Sequence, residues 1–242
     1  GGSELHRLLQ RDDLMFDRCV CLNLDRRPER WEAFLGRFLV DWPWTRPERW
    51  SAIDGKACDI PAWHLGPAGA WGCLRSHLAV WRWQVANGFE SVLVLEDDAV
   101  FGLNAVETIR ETMSLLPADW DQVYFGGQHL DTNNRPPEAV VANKLVRCRN
   151  VNRTHAYAIR LGFAAVCHDL LSQPHPTADS RLHHVDYRLG ELHDRYNVFA
   201  PWRFCIGQVQ GFSDVRSRNG KPARVIEHWW NQFPIVEPAG VR

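Results

Sequence analysis

The chain has 242 residues, 45% of them hydrophobic, enough to bury a sizeable core and more in keeping with one domain than with two small ones. Its 28 basic and 29 acidic side chains leave a formal net charge of −1, which excludes a global field drawing it onto nucleic acid or anionic lipid; local basic patches stay open. The seven cysteines (Cys19, Cys21, Cys58, Cys73, Cys148, Cys167 and Cys205) are odd in number, scattered and without a C-x-x-C pair. This argues against a disulfide framework and a structural zinc site, and suits a reducing compartment. With no signal-peptide core and no apolar run of bilayer length, a cytoplasmic protein without a transmembrane segment is expected. Gly1-Gly2-Ser3 reads as an expression-derived lead that would have displaced any native address.

Residues 4–17 read as a short amphipathic helix leading into a buried strand, CVCLNL at 19–24. A basic turn follows, in which Pro28 can open a helix and Trp31, Phe34, Leu35 and Phe38 recur at helical spacing. Its arginines, Arg26, Arg27 and Arg30, either fork onto phosphate oxygens or pair with Glu29 and Glu32 on a solvated helix end. A second short strand over 49–53 ends in Asp54-Gly55-Lys56, where the carboxylate either takes a ribose hydroxyl or only closes the turn. An apolar, Trp-rich helix is expected over 69–85. Within it Ser76 and His77 either satisfy local hydrogen bonds or, the rarer case, face a ligand.

SVLVLEDDAVF at 91–101 is a Val- and Leu-rich strand emptying into Glu96, Asp97 and Asp98. The run suits a strand covered on both faces in a parallel sheet. Three adjacent carboxylates repel one another and need compensation. At the carboxyl end of a strand they either hold a divalent cation carrying a phosphorylated ligand or form a solvated turn before the helix expected over 102–116. Residues 121–125 are another buried strand running into Gly126-Gly127, a pair that allows close backbone approach to a ligand. Residues 131–141 read as a loop, Leu145-Val146 and 156–159 as edge strands, and 163–171 as a helix. His183, His184, Val185 and Asp186 open a further helix, whose dipole alone would favour Asp186. Gln208, Ser213 and Asp214 precede a basic, poorly patterned tail. The twelve tryptophans, among them Trp42, Trp44, Trp63, Trp71, Trp229 and Trp230 near loops, suit sugar stacking but are more often core.

Taken together, NLDRRPERW (23–31), AIDGK (52–56), GCLRSH (72–77), LVLEDDA (93–99), THAY (154–157), VDYRL (185–189) and the closing Pro201, Gln208, Ser213 and Asp214 resemble glycosyltransferase family 25. The matches keep the family's order across residues 19–215. The resemblance implies an α/β fold: a GT-A-like, Rossmann-related, mostly parallel sheet flanked by helices in a single domain. It also implies a UDP-linked nucleotide-sugar donor, Mn²⁺ or Mg²⁺, and inverting transfer of a hexose to a hydroxyl of a glycan, lipopolysaccharide or other acceptor. Asp98, then Glu96, would hold the metal. Asn23, Arg26, Arg27, Asp54, Gly55, Ser76, His77, Asp97, His155, Gln208, Ser213 and Asp214 would line the donor site with Gly126 and Gly127, and Asp186 would be the base. The expected layout is a lead at 1–18, the catalytic domain at 19–215 and a basic tail at 216–242. The Trp-rich segment 42–50 and the basic tail depart from the family pattern.

Two rival functions are set beside this one. A silent carbohydrate- or nucleotide-binding module would have lost the acidic cluster or Asp186, and both are present. A transferase acting on a nucleic-acid or nucleoside acceptor would use Arg147, Arg149, Arg153 and the basic tail, against which the near-neutral charge counts; a protein hydroxyl is a further alternative acceptor.

Overall fold

The structure is a computed structural model and describes residues 15–209, 211–218 and 221–225. Eight strands form one sheet: β1 (Arg18–Leu24), β2 (Glu48–Ala52), β3 (Ser91–Glu96), β5 (Gln122–His129), β6 (Glu138–Val141), β7 (Leu145–Arg147), β8 (Val151–Arg160) and β9 (Val198–Pro201). The short β4 (Ala99–Phe101) pairs with β10 (Ile206–Gln208), and β11 (Gly211–Arg218) with β12 (Lys221–Val225). The helices are α1 (Pro28–Arg37), α2 (Ala68–Asn87), α3 (Ala105–Leu115), α4 (Leu161–Leu171) and α5 (Val185–Gly190).

The sheet order is β2-β1-β3-β8-β5-β9-β7-β6. β1 runs parallel to β2 and β3, and β5 to β9, while β8 is antiparallel to β3 and β5, and β7 to β9 and β6. All strands but β7 and β8 therefore point one way: the sheet is mixed, and mostly parallel in strand direction.

β1 and β3 read as unbroken apolar runs because both faces of the sheet are covered. Val20, Leu22, Val92 and Val94 pack with Leu74, Leu78 and Trp81 of α2 and Phe163 and Cys167 of α4. Cys19, Cys21, Leu93 and Leu95 point the other way, onto Phe34 of α1 and Val106 and Ile109 of α3. α1 opens on Pro28, whose missing N–H costs nothing in a first turn, and α2 ends at Gly88 in the left-handed conformation, φ 67°.

Several sequence expectations need correction. β8, expected at an edge over 156–159, is a ten-residue strand at the centre of the sheet, and β7 is also internal. The expected loop at 131–141 ends in β6, which takes the edge position. The buried strand over 121–125 runs on to His129, so Gly126 and Gly127 lie inside it. Trp42 and Trp44 are core residues, Trp71 is buried and Trp63 packs against the core. The helix expected over 4–17 and Trp229 and Trp230 lie outside the described residues, apart from positions 15–17, which form a bend. Part of the basic tail forms β11 and β12, of which only the backbone is described. No helix among the described residues is long and apolar enough to cross a membrane.

Candidate functional site

β1, β2 and β3 end side by side, and beyond their carboxyl ends lies a cleft of about 680 Å³, a size that suits a small organic ligand. Arg26 and Arg30 line it from the first turn, Asp54, Gly55 and Lys56 from the second, Glu96, Asp97 and Asp98 from the third, and Arg153, Asp186 and Gln208 from across it.

The three carboxylates have different surroundings. Asp97 is buried and fully engaged: Asn23 Nδ2 donates to Oδ2 at 2.7 Å, Arg30 pairs with Oδ1, and Arg37 Nη2 donates to its carbonyl at 2.8 Å. Burial nevertheless raises its pKa. Glu96 accepts from the Thr154 hydroxyl at 2.7 Å and lies 3.6 Å from His77 Nε2. Burial opposes its charge, but His77 and Thr154 outweigh burial and hold its pKa below the usual value. Asp98 is held on one side only. Its Oδ2 accepts from Gln208 Nε2 at 3.2 Å and stands 3.6 Å from Arg30, whereas Oδ1 is buried with no hydrogen-bond partner. Burial and then the Glu96 charge push Asp98 up to about 7. The turn is fixed in place because β4 follows it at once and pairs with β10, setting Gln208 opposite Ala99.

Asp186 stands in the first turn of α5, where Oδ1 accepts from the Tyr187 amide at 2.9 Å and Oδ2 from the Arg153 amide at 3.1 Å. Arg153 itself has φ 79°, a left-handed conformation that costs a non-glycine residue about 1–3 kcal/mol. Its guanidinium reaches Gln208 Oε1 at 2.9 Å. Asp186, Arg153, Gln208 and Asp98 are thus joined by a chain of hydrogen bonds across the cleft.

The remaining candidates divide. Arg26 pairs with Asp54 at 2.6 Å on the cleft wall, and the Lys56 amide donates to Asp54 at 3.1 Å. Arg27 instead pairs with Glu29 on the helix end, outside the cleft lining, as in the solvated-end reading. Asn23 is a buried tie: it bonds Asp97 and the Arg27 carbonyl and accepts from Arg49 at 2.8 Å. Ser76 lines the cleft, yet its hydroxyl is engaged by the Gly72 carbonyl and the Ile53 amide. Gly126 and Gly127 serve packing rather than a ligand, since a Cβ on Gly126 would lie 2.2 Å from His155 Nε2 and one on Gly127 2.7 Å from Val151. His155 is wholly buried, contacts the Ile206 carbonyl at 3.1 Å, and is pushed down to about 4 by burial. Ser213 and Asp214 lie on β11, and their side chains are outside the described residues.

Gly55 has a steric role. A Cβ there would sit 1.7 Å from the Ala68 carbonyl oxygen at the start of α2. Gly55→Ala is expected to cost about 3 kcal/mol, measured as a fall in the urea midpoint, because backbone rather than a mobile side chain must give way. Sequence reasoning missed that Thr154 and Cys73 line the cleft and gave Arg153 to a basic patch. Arg153 turns inward, and Arg149 pairs with Glu138 at 2.6 Å, so these arginines do not present one common surface.

The fold and the cleft define an α/β domain with a carboxylate- and arginine-lined ligand site at the ends of its first strands. The family model described as "Glycosyltransferase family 25 (LPS biosynthesis protein)" matches residues 67–167. Mouse "Procollagen galactosyltransferase 2" is 28% identical over 172 residues, 62% of this chain and 27% of that protein. Human "Inactive glycosyltransferase 25 family member 3" is 31% identical over 179 residues, 66% of this chain and 29% of that protein. Through residues 67–167 and these relatives the chain is similar to glycosyltransferase family 25. It spans less than a third of the length of these two relatives. Among solved structures, a glycosyltransferase involved in glycosylation of the major capsid of PBCV-1 covers 76% of this chain, and 79% of its own is covered, at 8% identity and a TM-score of 0.42.

Proposed function

We propose that residues 19–215 form an inverting transferase that moves a hexose from a UDP-linked donor to an acceptor hydroxyl. The observation that carries this reading is Asp98 Oδ1, a buried carboxylate oxygen without a hydrogen-bond partner on a residue that lines an arginine-bearing cleft. An oxygen left over in this way fits a hard divalent cation, Mn²⁺ or Mg²⁺, with Asp98 as the first ligand and Glu96 as the second. Such an ion supplies charge neutralisation for the departing diphosphate.

The chain's own residues do the rest. Arg26, Arg30 and Lys56 give the cleft wall the positive charge that a diphosphate needs, and Asp54 stands at a strand end where a ribose hydroxyl can be taken. Asp186 takes the proton of the acceptor hydroxyl. The acceptor class follows the family: a glycan or lipopolysaccharide hydroxyl, with a protein hydroxyl as the variant that the relatives' names suggest. A reducing, cytoplasmic setting accords with seven free thiols.

The second reading, a silent nucleotide-binding module, is favoured by the engagement of both Asp186 oxygens with backbone amides. Hydrolysis of a panel of nucleotide sugars, with and without Mn²⁺, tests the pair. Mn²⁺-dependent release of UDP supports the transferase, and nucleotide binding without turnover supports the module. Within the same cleft, Arg26→Ala should weaken UDP binding by about 1–3 kcal/mol, while Arg27→Ala stays within about 0.5 kcal/mol of wild type. Equal effects in a binding titration would overturn the division between these two arginines.

A further inference from the structure

Beside the acidic turn stands a second set of donors, in which Glu96 is shared with the proposed Asp98 seat while Cys73 and the His77 ring have no task in sugar transfer. Cys73 and His77 stand one turn apart on α2, the spacing that puts two side chains on one helix face, and Glu96 leaves β3 opposite them. A sulfur, a ring nitrogen and a carboxylate oxygen from these three lie within 4.8 Å of one another. The His77 ring is oriented from behind: Nδ1 contacts the Tyr157 hydroxyl at 2.8 Å, and Trp81 Nε1 donates to that hydroxyl at 3.1 Å. Its Nε2 is left wholly buried, without a hydrogen-bond partner, 3.6 Å from Glu96 Oε1. An imidazole fixed on one nitrogen, with the other turned toward a carboxylate beyond hydrogen-bond length, is how histidine ligands are held ready for a metal.

We propose that Cys73, His77 and Glu96 form a site for zinc, or another borderline-soft divalent cation, which shares Glu96 with the oxygen-only seat at Asp98 and excludes its use there. Thiolate, imidazole and carboxylate are the donor types that zinc takes, and a mixed set of this kind discriminates against Mg²⁺ and Mn²⁺. Tetrahedral zinc with bonds of about 2.0–2.3 Å needs its ligand atoms about 3.5 Å apart. The His77–Glu96 pair already has about that separation, at 3.6 Å, and the Cys73 sulfur, within 4.8 Å of both, has to close by about an ångström. On binding, the Cys73 thiol releases its proton to solvent and the sulfur takes up the metal bond. Cys73 and Glu96 both line the cleft, so a fourth position opens onto it, unlike the closed sites that paired cysteines build. Zinc here also draws Glu96 away from the acidic turn. If the proposed function holds, zinc therefore antagonises Mn²⁺-dependent nucleotide binding.

Cobalt titration of the intact chain tests the site. Saturable binding with a thiolate-to-cobalt charge-transfer band is expected, displaced by Zn²⁺, lost in Cys73→Ser and retained in Asp98→Asn. His77→Gln serves as a second variant in case Cys73→Ser does not fold, and should weaken cobalt binding at least about tenfold. Absence of the band, or its survival in folded Cys73→Ser, overturns the site. A companion experiment follows UDP binding with Mn²⁺ as Zn²⁺ is added: inhibition in wild type but not in Cys73→Ser supports the antagonism, and equal inhibition overturns it. If no Mn²⁺-dependent UDP binding occurs at all while the cobalt band persists, the transferase reading fails and the zinc site stands.

Discussion

Asp98→Asn is expected to abolish the thermal stabilisation that Mn²⁺ and UDP give together, while the unliganded protein melts no lower than wild type at neutral pH. Asp97 is already bonded by Asn23 and Arg30, and Glu96, the second ligand, accepts from Thr154, so neither supplies the unpartnered buried oxygen that Asp98 does. The unliganded protein should be stabilised because a buried charge is removed. Burial and the Glu96 charge push Asp98 up to about 7 from the ordinary 3.8, so the folded state holds the proton more tightly. The benefit is full below about pH 4 and is lost as pH rises through 7; a rise of that size in the carboxyl's pKa is worth about 4 kcal/mol as an upper bound. Other groups pull the opposite way. Glu96 has a lowered pKa, and His64, His129 and His155 are each pushed down to about 4, so they lose stability on acidification. The difference between wild type and Asp98→Asn isolates the one residue, and should grow in favour of the variant from pH 4 to 7. A difference that does not change with pH, or UDP stabilisation by Mn²⁺ that survives in the variant, would remove Asp98 from the metal site.

What could be read in advance follows from where the information sits along the chain. β1 and β3 were legible because burial on both faces leaves a local apolar run, and the acidic turn was legible because its three carboxylates are consecutive. β8 was not. Its sequence, VNRTHAYAIR, carries Asn152, Thr154 and His155 into buried positions, and only partners distant in sequence make that acceptable. Thr154 is satisfied by Glu96 and His155 by the Ile206 carbonyl, contacts that local pattern does not contain. Gly126 was misread for the same reason: close backbone approach is required there, but by His155 and β10 rather than by a ligand. The family blocks did bring Asp98, Asp186 and Gln208 to one cleft. The left-handed Arg153 that links them leaves no mark in residue type, since arginine has no preference for that conformation.

Asp186→Asn carries the second large effect, and the structure sharpens what it should distinguish. Each oxygen of Asp186 accepts from a different backbone amide, so asparagine can satisfy only one of the two and presents an N–H to the other. A stability loss of about 1–2 kcal/mol is therefore expected whatever the residue's role in chemistry. The two roles separate in the kinetics. If Asp186 only positions Arg153, its loss loosens Gln208 and Asp98 in turn, and nucleotide and metal binding should weaken along with turnover. If Asp186 takes the acceptor proton, donor affinity stays near wild type while turnover at saturating substrates falls about a hundredfold or more. We expect the second pattern, because Asp186 lines the cleft and each of its oxygens keeps a lone pair after the backbone bonds are made. His155 cannot stand in: it is sealed inside the sheet against the Ile206 carbonyl, leaving His184, which lines the cleft, as the alternative base. Wild-type turnover in Asp186→Asn, with loss of turnover in His184→Gln, would transfer the role to His184.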